Sequence, residues 1–279
     1  MKNHTTFKIG GKAAFFIEPK NEGEIAEVLS AVKVFNKRFL VIGNGSNMLI
    51  SDDEIDCVFI YIGEKLSEVK LLDENRIRCE SGALLSKACN FALENSLTGM
   101  EELFGIPGSV GGAVYMNAGA YGGEIKDVIL SCTTMDTDGN IHTYRKEELD
   151  LSYRHSRFSD KDEVILSADF CLEKGDKDEI KAEMKDFLSR RKDKQPVEFP
   201  SAGSVFKRPE GYFAGALIEN CGLKGKQIGG AQVSEKHAGF IINRGNATAK
   251  DVLSLIELCQ NTVKEKTGVL LEPEIRCLS

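Results

Sequence analysis

The sequence predicts an α+β protein, and three observations carry that prediction. Segments near the start run β-α-β-β, an order that a simple doubly wound sheet does not have. Farther on, two pairs of strand-like runs are joined by short turn signals, "DEN" and Asp138-Gly139, which favour adjacent antiparallel strands. Finally, the charged segment "KDKQPVEFP", residues 192–200, carries two prolines and interrupts the periodic pattern, so the main domain boundary is expected there.

The elements follow from local periodicity. "KAAFFIEP" reads as a strand closed by Pro19, and Ile25, Val28, Leu29, Val32 and Phe35 then mark one face of a helix. "RFLVI", "MLISDD" and "CVFIYI" are strand-like, with the loop "GNGSN" after the first. Leu85, Ala88, Cys89, Ala92 and Leu93 mark a second helix, and a strand near 163–172 leads into a polar helix with Ile180, Met184, Phe187 and Leu188 on its apolar face. In the last part, "GAQVS" and "AGFIIN" are strand-like, and Val252, Leu255, Ile256, Cys259 and Val263 line a helix that Thr248 and Asp251 can cap reciprocally. A final strand is expected in "VLLEPEIRCL", where Pro273 suits an edge.

Composition narrows the function classes. With 36 basic and 43 acidic residues in 279, the net charge of −7 disfavours non-specific nucleic-acid binding. The eight cysteines are scattered, with no CxxC and no metal-ligand spacing to the four histidines, as expected for reduced thiols in a cytoplasmic protein. No stretch reaches the length a membrane span needs, and the N-terminus lacks the apolar core of a signal peptide.

Two glycine-rich loops are the first candidates for chemistry. "GNGSNM", residues 43–48, begins like a dinucleotide fingerprint, but Met48 replaces the last glycine and a strand follows, so the Rossmann context fails. Its backbone N–H groups can still converge on an anion, with Ser46 and Asn47 adding donors; taken alone, the loop is better explained as a plain inter-strand turn. "GIPGSVGGAVYMNAGAYGGE" places seven glycines in twenty residues, an entropic cost that a simple connection does not require. Together the loops favour a ligand with two recognisable parts. In "FPSAGSVFKRPEG", Ser204 lacks the G-x-S-x-G elbow and an adjacent histidine base, which weakens a nucleophile reading and leaves phosphate ligand, proton donor or turn residue open.

The motifs "NHTTFKIGG", "IGNGSNMLISD", "GIPGSVGGAVYMNAGAYGGEI", "LSYRHSRF", "AGSVFKRP", "GAQVSEKHAGFIIN" and "LEPEIR", in this order over nearly the whole chain, resemble the UDP-N-acetylenolpyruvoylglucosamine reductase family. The resemblance implies a FAD-binding domain of the vanillyl-alcohol-oxidase/PCMH-like type over residues 1–192, in two subdomains of 1–55 and 56–192, and a smaller α+β substrate domain over 193–279. It implies non-covalent FAD, NADPH as hydride donor and UDP-N-acetylglucosamine-enolpyruvate as substrate, in a cytoplasmic monomer of the family's shorter type, without the substrate-covering insertion. Non-covalent binding agrees with the lack of histidine in either glycine loop. The cofactor neighbours carried over are Gly43, Asn44, Gly45, Ser46, Asn47, Gly105, Pro107, Gly108, Ser109, Asn117 and Gly119.

The same resemblance assigns three catalytic residues. Arg154 is the cation facing a carboxylate that gains electron density, and Arg157 is its neighbour outside the motif position. Glu274 is a carboxyl kept protonated beside the substrate, with Glu272 as competitor on the same strand face. Ser204 is the proton donor to the carbon being reduced. Apart from the resemblance, the adjacent cations Lys207 and Arg208 are candidate ligands for the UDP diphosphate, with a solvated charge pair ahead of Pro209 as the alternative. Lys236 and His237 receive no chemical step. Two other classes stay open: a different FAD-dependent oxidoreductase on this scaffold, and a non-catalytic nucleotide-binding protein.

Overall fold

A computed structural model describes residues 1–278. The chain forms two compact units, each discontinuous in sequence: one comprises 15–44 and 57–190, the other 1–14, 45–56 and 191–279.

The core of the first unit is built on a five-stranded antiparallel sheet, ordered Ile141–Arg145, Ile129–Met135, Val164–Cys171, Arg76–Glu80, Val69–Leu71. Alternation decides its faces: Ile77, Cys79, Cys132, Ala168 and Phe170 point to an apolar core shared with the helix Leu85–Glu94 and the short helix Val110–Tyr115. Both predicted hairpins form, and Arg78 and Asp169 on neighbouring strands make a two-pronged ion pair at 2.6 and 2.8 Å. Phe39–Ile42 pairs in parallel with the strand Ile55–Tyr61. Over them the helix Glu22–Val34 lays Ile25, Leu29 and Val32, while Phe35, expected on the same face, caps its end and is exposed. Burial pushes the Cys79 thiol up to about 12, so this cysteine is an inert packing group.

The second unit packs the helix Ala249–Thr267 against a four-stranded antiparallel sheet, ordered Ser201–Ser204, Phe240–Asn243, Ala231–Val233, Gln227–Ile228. Val252, Leu255, Ile256, Cys259 and Val263 are all buried, as their spacing predicts. Here the structure departs from the linear division of the sequence: residues 1–14 and 45–56 belong to this unit, not with the rest of 1–55. The reason is packing and pairing. Phe7, Ile9 and Leu49 enter the same core as Val205 and Ile256, and the strand Met48–Ile50 pairs in parallel with Arg276–Leu278. The final strand is also shorter than its apolar run suggested, because Pro273 makes only an isolated bridge to Phe206 and regular pairing begins at Arg276.

Three polar contacts join the distant segments of this unit. Thr6 Oγ1 donates to the Ser201 carbonyl at 2.7 Å, Asn243 Nδ2 donates to the Phe7 carbonyl at 3.1 Å, and the Ala249 N–H donates to Asp52 Oδ2 at 2.6 Å. The reciprocal cap on the last helix also forms: Thr248 Oγ1 accepts from the Asp251 N–H at 3.1 Å, and Asp251 Oδ2 accepts from the Thr248 N–H at 2.9 Å. The same carboxylate accepts from the Gly230 N–H at 3.2 Å, so the cap also docks the helix on its sheet. Thr248→Ala should therefore lower stability by about 1 kcal/mol, read as a lower denaturant midpoint at unchanged slope.

His237 supplies a second test. Its ring packs edge-on against Phe240, and Nδ1 accepts from the Gly239 N–H at 3.1 Å. Desolvation holds its pKa below the ordinary imidazole value, so the folded state resists protonation. A depressed histidine pKa contributes stability that is present above the unfolded value of about 6.5 and is lost as the pH falls below it. Between about pH 7.5 and 5.5 the thermal midpoint should therefore drop more in the wild type than in His237→Gln. An equal drop in both would exclude this histidine as the cause.

Candidate active site

Ser204 owes its placement to one inserted residue. Along the edge strand, Ser201 pairs with Ile242 and Ser204 with Phe240, so three steps on one strand match two on the other. This is a β-bulge, and Gly203 takes the left-handed conformation within it at φ +78°. The burial pattern records the result: Ala202 and Val205 are buried, whereas regular alternation from Ala202 would have turned Ser204 into the core. Ser204 is instead half-buried, and its hydroxyl has a long 3.5 Å contact to the Phe206 carbonyl.

The next residue brings the other groups in. The Val205 N–H donates to the Gly239 carbonyl at 2.9 Å, and the Val205 carbonyl accepts from the Glu274 N–H at 2.7 Å. Glu274 is thereby fixed beside Ser204, and Asn47 Nδ2 donates to the Glu274 carbonyl at 3.2 Å. Arg276 donates its N–H to the Asn47 carbonyl at 2.9 Å, so Asn47 clasps this segment on both sides. His237, which the sequence left without a role, borders the same place, since a Cβ on Gly239 would lie 2.9 Å from its ring and 3.5 Å from Ser204 Oγ.

The two glutamates separate clearly. Glu272 is exposed and pairs with Lys207 Nζ at 3.6 Å, while Glu274 is half-buried. That pairing gives Lys207 a structural partner; Arg208 lies over the ring of Phe213 at 4.0 Å. Lys236 pairs with Glu198 at 3.5 Å and reaches the Lys192 carbonyl, tying down the proline-containing segment.

Arg154 and most of the expected cofactor neighbours lie in the other compact unit. Arg154 occupies the third position of a tight turn closed by Ser152 and His155, at φ +55°, and Nη2 donates to the Gly119 carbonyl at 3.3 Å. Arg157 is differently engaged: its guanidinium lies over Tyr144 at 3.6 Å and donates to the Glu148 carbonyl at 3.0 Å. Asn44 Nδ2 donates to the Pro107 carbonyl at 2.6 Å, joining the two glycine loops, and a Cβ on Gly43 would lie 2.1 Å from Ser109 Oγ. Residues 108–111 are fixed in turn, with the Gly108 carbonyl accepting from Leu85 and the Val110 and Gly111 N–H groups donating to Ala83 and Ser81. Gly43, Asn44, Ser46, Asn47, Gly105, Gly108 and Gly119 are half-buried and Pro107 is exposed, whereas Gly45, Ser109 and Asn117 are buried. Asn117 spends its amide on protein groups: Nδ2 donates to the Ser152 carbonyl and to Glu124, and Oδ1 accepts from the Lys126 N–H.

The donor set suits a dianionic diphosphate linker. Gly43, Asn44 and residues 105–112, all of one unit, contain no acidic side chain, present neutral donors and small residues, and are held by hydrogen bonds rather than left loose. Among the described residues, no group of three or more His, Cys, Asp or Glu comes together to hold a metal, and no helix is long and apolar enough to cross a membrane.

Comparison with known proteins agrees along the whole chain. Residues 195–278 match the family described as UDP-N-acetylenolpyruvoylglucosamine reductase, C-terminal domain, and residues 13–145 match the FAD binding domain family. The UDP-N-acetylenolpyruvoylglucosamine reductase of Clostridium novyi is 52% identical over 276 residues, covering 99% of this chain and 89% of that protein. Its counterpart in Agathobacter rectalis is 49% identical over 289 residues, covering 100% and 92%. The crystal structure of UDP-N-acetylenolpyruvylglucosamine reductase from Thermus caldophilus matches with a TM-score of 0.86 at 34% identity, over 100% of this chain and 97% of that one. With half of its residues identical to such relatives from end to end, and with both halves of their architecture present, the chain belongs to the UDP-N-acetylenolpyruvoylglucosamine reductase family.

Proposed function

We propose that this protein reduces the enolpyruvyl double bond of UDP-N-acetylglucosamine-enolpyruvate to give UDP-N-acetylmuramate, a peptidoglycan precursor, with Arg154, Ser204 and Glu274 as the catalytic residues. The observation that carries the reading is the Val205 peptide, whose two hydrogen bonds hold the main chain of Glu274 next to the segment that carries Ser204, both residues being half-buried. FAD, when bound, supplies the hydride relay from NADPH to the substrate. Gly43, Asn44 and residues 105–112 would hold its diphosphate by neutral donors, and neither glycine loop has a histidine or cysteine for a covalent link. Both co-substrates are metabolites of the cytoplasm, which is where the enzyme is expected to act.

Each side chain then has a distinct task. Hydride arriving at the carbon beta to the substrate carboxylate leaves negative charge on the alpha carbon and on the carboxylate oxygens. Arg154, permanently charged and planar, meets that carboxylate with a two-pronged hydrogen bond. Glu274, in its protonated form, donates a hydrogen bond to the same developing charge, and its half-buried position favours it over the exposed Glu272. Ser204 Oγ gives its proton to the alpha carbon, a role that needs a hydroxyl not already held by a short internal bond. Lys207 and Arg208 are the candidate cations for the diphosphate of the substrate, and Lys207 would exchange its exposed partner Glu272 for that anion.

Two measurements test the reading. The purified protein should be yellow, should bleach under NADPH without oxygen, and should regain colour when the enolpyruvyl UDP-sugar is added. Absence of flavin, or a bleached protein indifferent to that sugar, rules the activity out. In Ser204→Ala, bleaching by NADPH should keep its wild-type rate while reoxidation by the sugar slows about 100-fold or more, the usual contribution of a positioned proton donor. Equal slowing of both half-reactions would remove the proton-donor role.

A further inference from the structure

Asn117 and Gly119 were expected to border the cofactor, yet the contacts of this segment run to the turn that carries Arg154. Tyr115, Asn117 and Gly119, at every second position, each hold a residue of the stretch 152–156. The Tyr115 carbonyl accepts from Ser156 Oγ at 2.7 Å, Asn117 Nδ2 donates to the Ser152 carbonyl at 2.9 Å, and the Gly119 carbonyl accepts from Arg154 Nη2 at 3.3 Å. Ser156 and Asn117 are both fully buried, so these bonds are made away from competing water.

The turn needs such support. Its closing bonds are the His155 N–H to the Ser152 carbonyl at 3.1 Å and the Ser152 N–H to the His155 carbonyl at 3.2 Å. At the third turn position Arg154 has φ +55°, where glycine or asparagine is the ordinary choice and any other residue is strained. The Ser152 carbonyl that closes the turn is the one Asn117 grips from the other side. Asn117 is itself left-handed at φ +41° and is locked by its remaining bonds, Oδ1 from the Lys126 N–H at 2.9 Å and Nδ2 to Glu124 Oε2 at 3.1 Å. Both of its amide hydrogens go to protein acceptors, an arrangement suited to holding the chain.

We propose that Asn117 is a positioning residue for Arg154: it clamps the Ser152–His155 turn so that the strained arginine presents its guanidinium to the substrate carboxylate. Ser156 does the same from the far side of the turn through Tyr115. The inference rests on the role given to Arg154 above. It separates two neighbouring effects, because a cofactor contact would govern flavin affinity, whereas a clamp on Arg154 governs only the step that uses the carboxylate.

The test uses the flavin-loaded enzyme with Asn117→Asp, which keeps an acceptor for Lys126 and loses the donors to Ser152 and Glu124, and with Ser156→Ala, which loses the second clamp together with the 3.3 Å cap on the Phe158 N–H. In both, flavin affinity, the flavin absorption spectrum and the rate of bleaching by NADPH should match the wild type. Reoxidation by the enolpyruvyl sugar should slow about 10- to 100-fold, the scale of an ångström-sized misplacement of a catalytic group. Combined with Arg154→Ala, neither change should slow reoxidation beyond Arg154→Ala alone, as expected for residues acting through one group. Weakened flavin binding with wild-type reoxidation, or full additivity with Arg154→Ala, overturns the inference. If Arg154→Ala itself reoxidises at the wild-type rate, the role of Arg154 is what fails. If Asn117→Asp does not fold, Ser156→Ala decides by the same measures.

Discussion

One peptide group, that of Val205, ties together the segments that carry Ser204 and Glu274. Its N–H is bound to Gly239 and its carbonyl to Glu274, and its side chain is fully buried among Phe7, Ile9 and Ile256. A hydroxyl on one side and a carboxyl on the other are thus carried by main chain that cannot move without breaking backbone hydrogen bonds in a buried environment. Such bonds are worth far more to keep than their net stability suggests, since a buried group left unpaired costs its full desolvation. Positioning here comes from the backbone, and the side chains inherit it.

The other unit reaches rigidity by a different route. Its glycine loops have few side chains to pack, so they are held by Asn44 on Pro107 and by the ladder from 108–111 to 81–85. Arg154 and Arg157 show how sequence neighbours part company. Arg157 is taken up by Tyr144 and the Glu148 carbonyl, while Arg154, in a left-handed turn, reaches the Gly119 carbonyl instead. Three residues of spacing put the two guanidinium groups to different uses.

What could be read from the sequence was what is local. The helix 249–267 and its cap, the helix 22–34 and the hairpin at Asp138-Gly139 are encoded in windows of a few residues to a few turns, and they form. The pairing of Met48–Ile50 with Arg276–Leu278 joins strands more than two hundred residues apart and leaves no trace in either segment alone. That pairing, with Phe7 and Ile9 in the C-terminal core, is why the compact units do not follow the chain order. The short helix Val110–Tyr115 was hidden for another reason: Gly111 and Gly112 oppose helix formation, and the Ser109 cap and the bonds to residues 81–85 supply what propensity lacks. Motif matching found Asn117, but only the hydrogen-bond pattern shows that its amide faces the 152–156 turn.

The bulge at Gly203 makes one left-handed residue, as well as the serine itself, a property of the site. Side chains along a strand alternate, so the same residues laid in a ladder without the bulge would exchange inside for outside from Gly203 on. The hydroxyl would turn into the core, and the buried valine that follows it would face solvent. The serine stays at the surface only while the extra residue is absorbed, and Gly203, at φ +78°, is where the chain absorbs it.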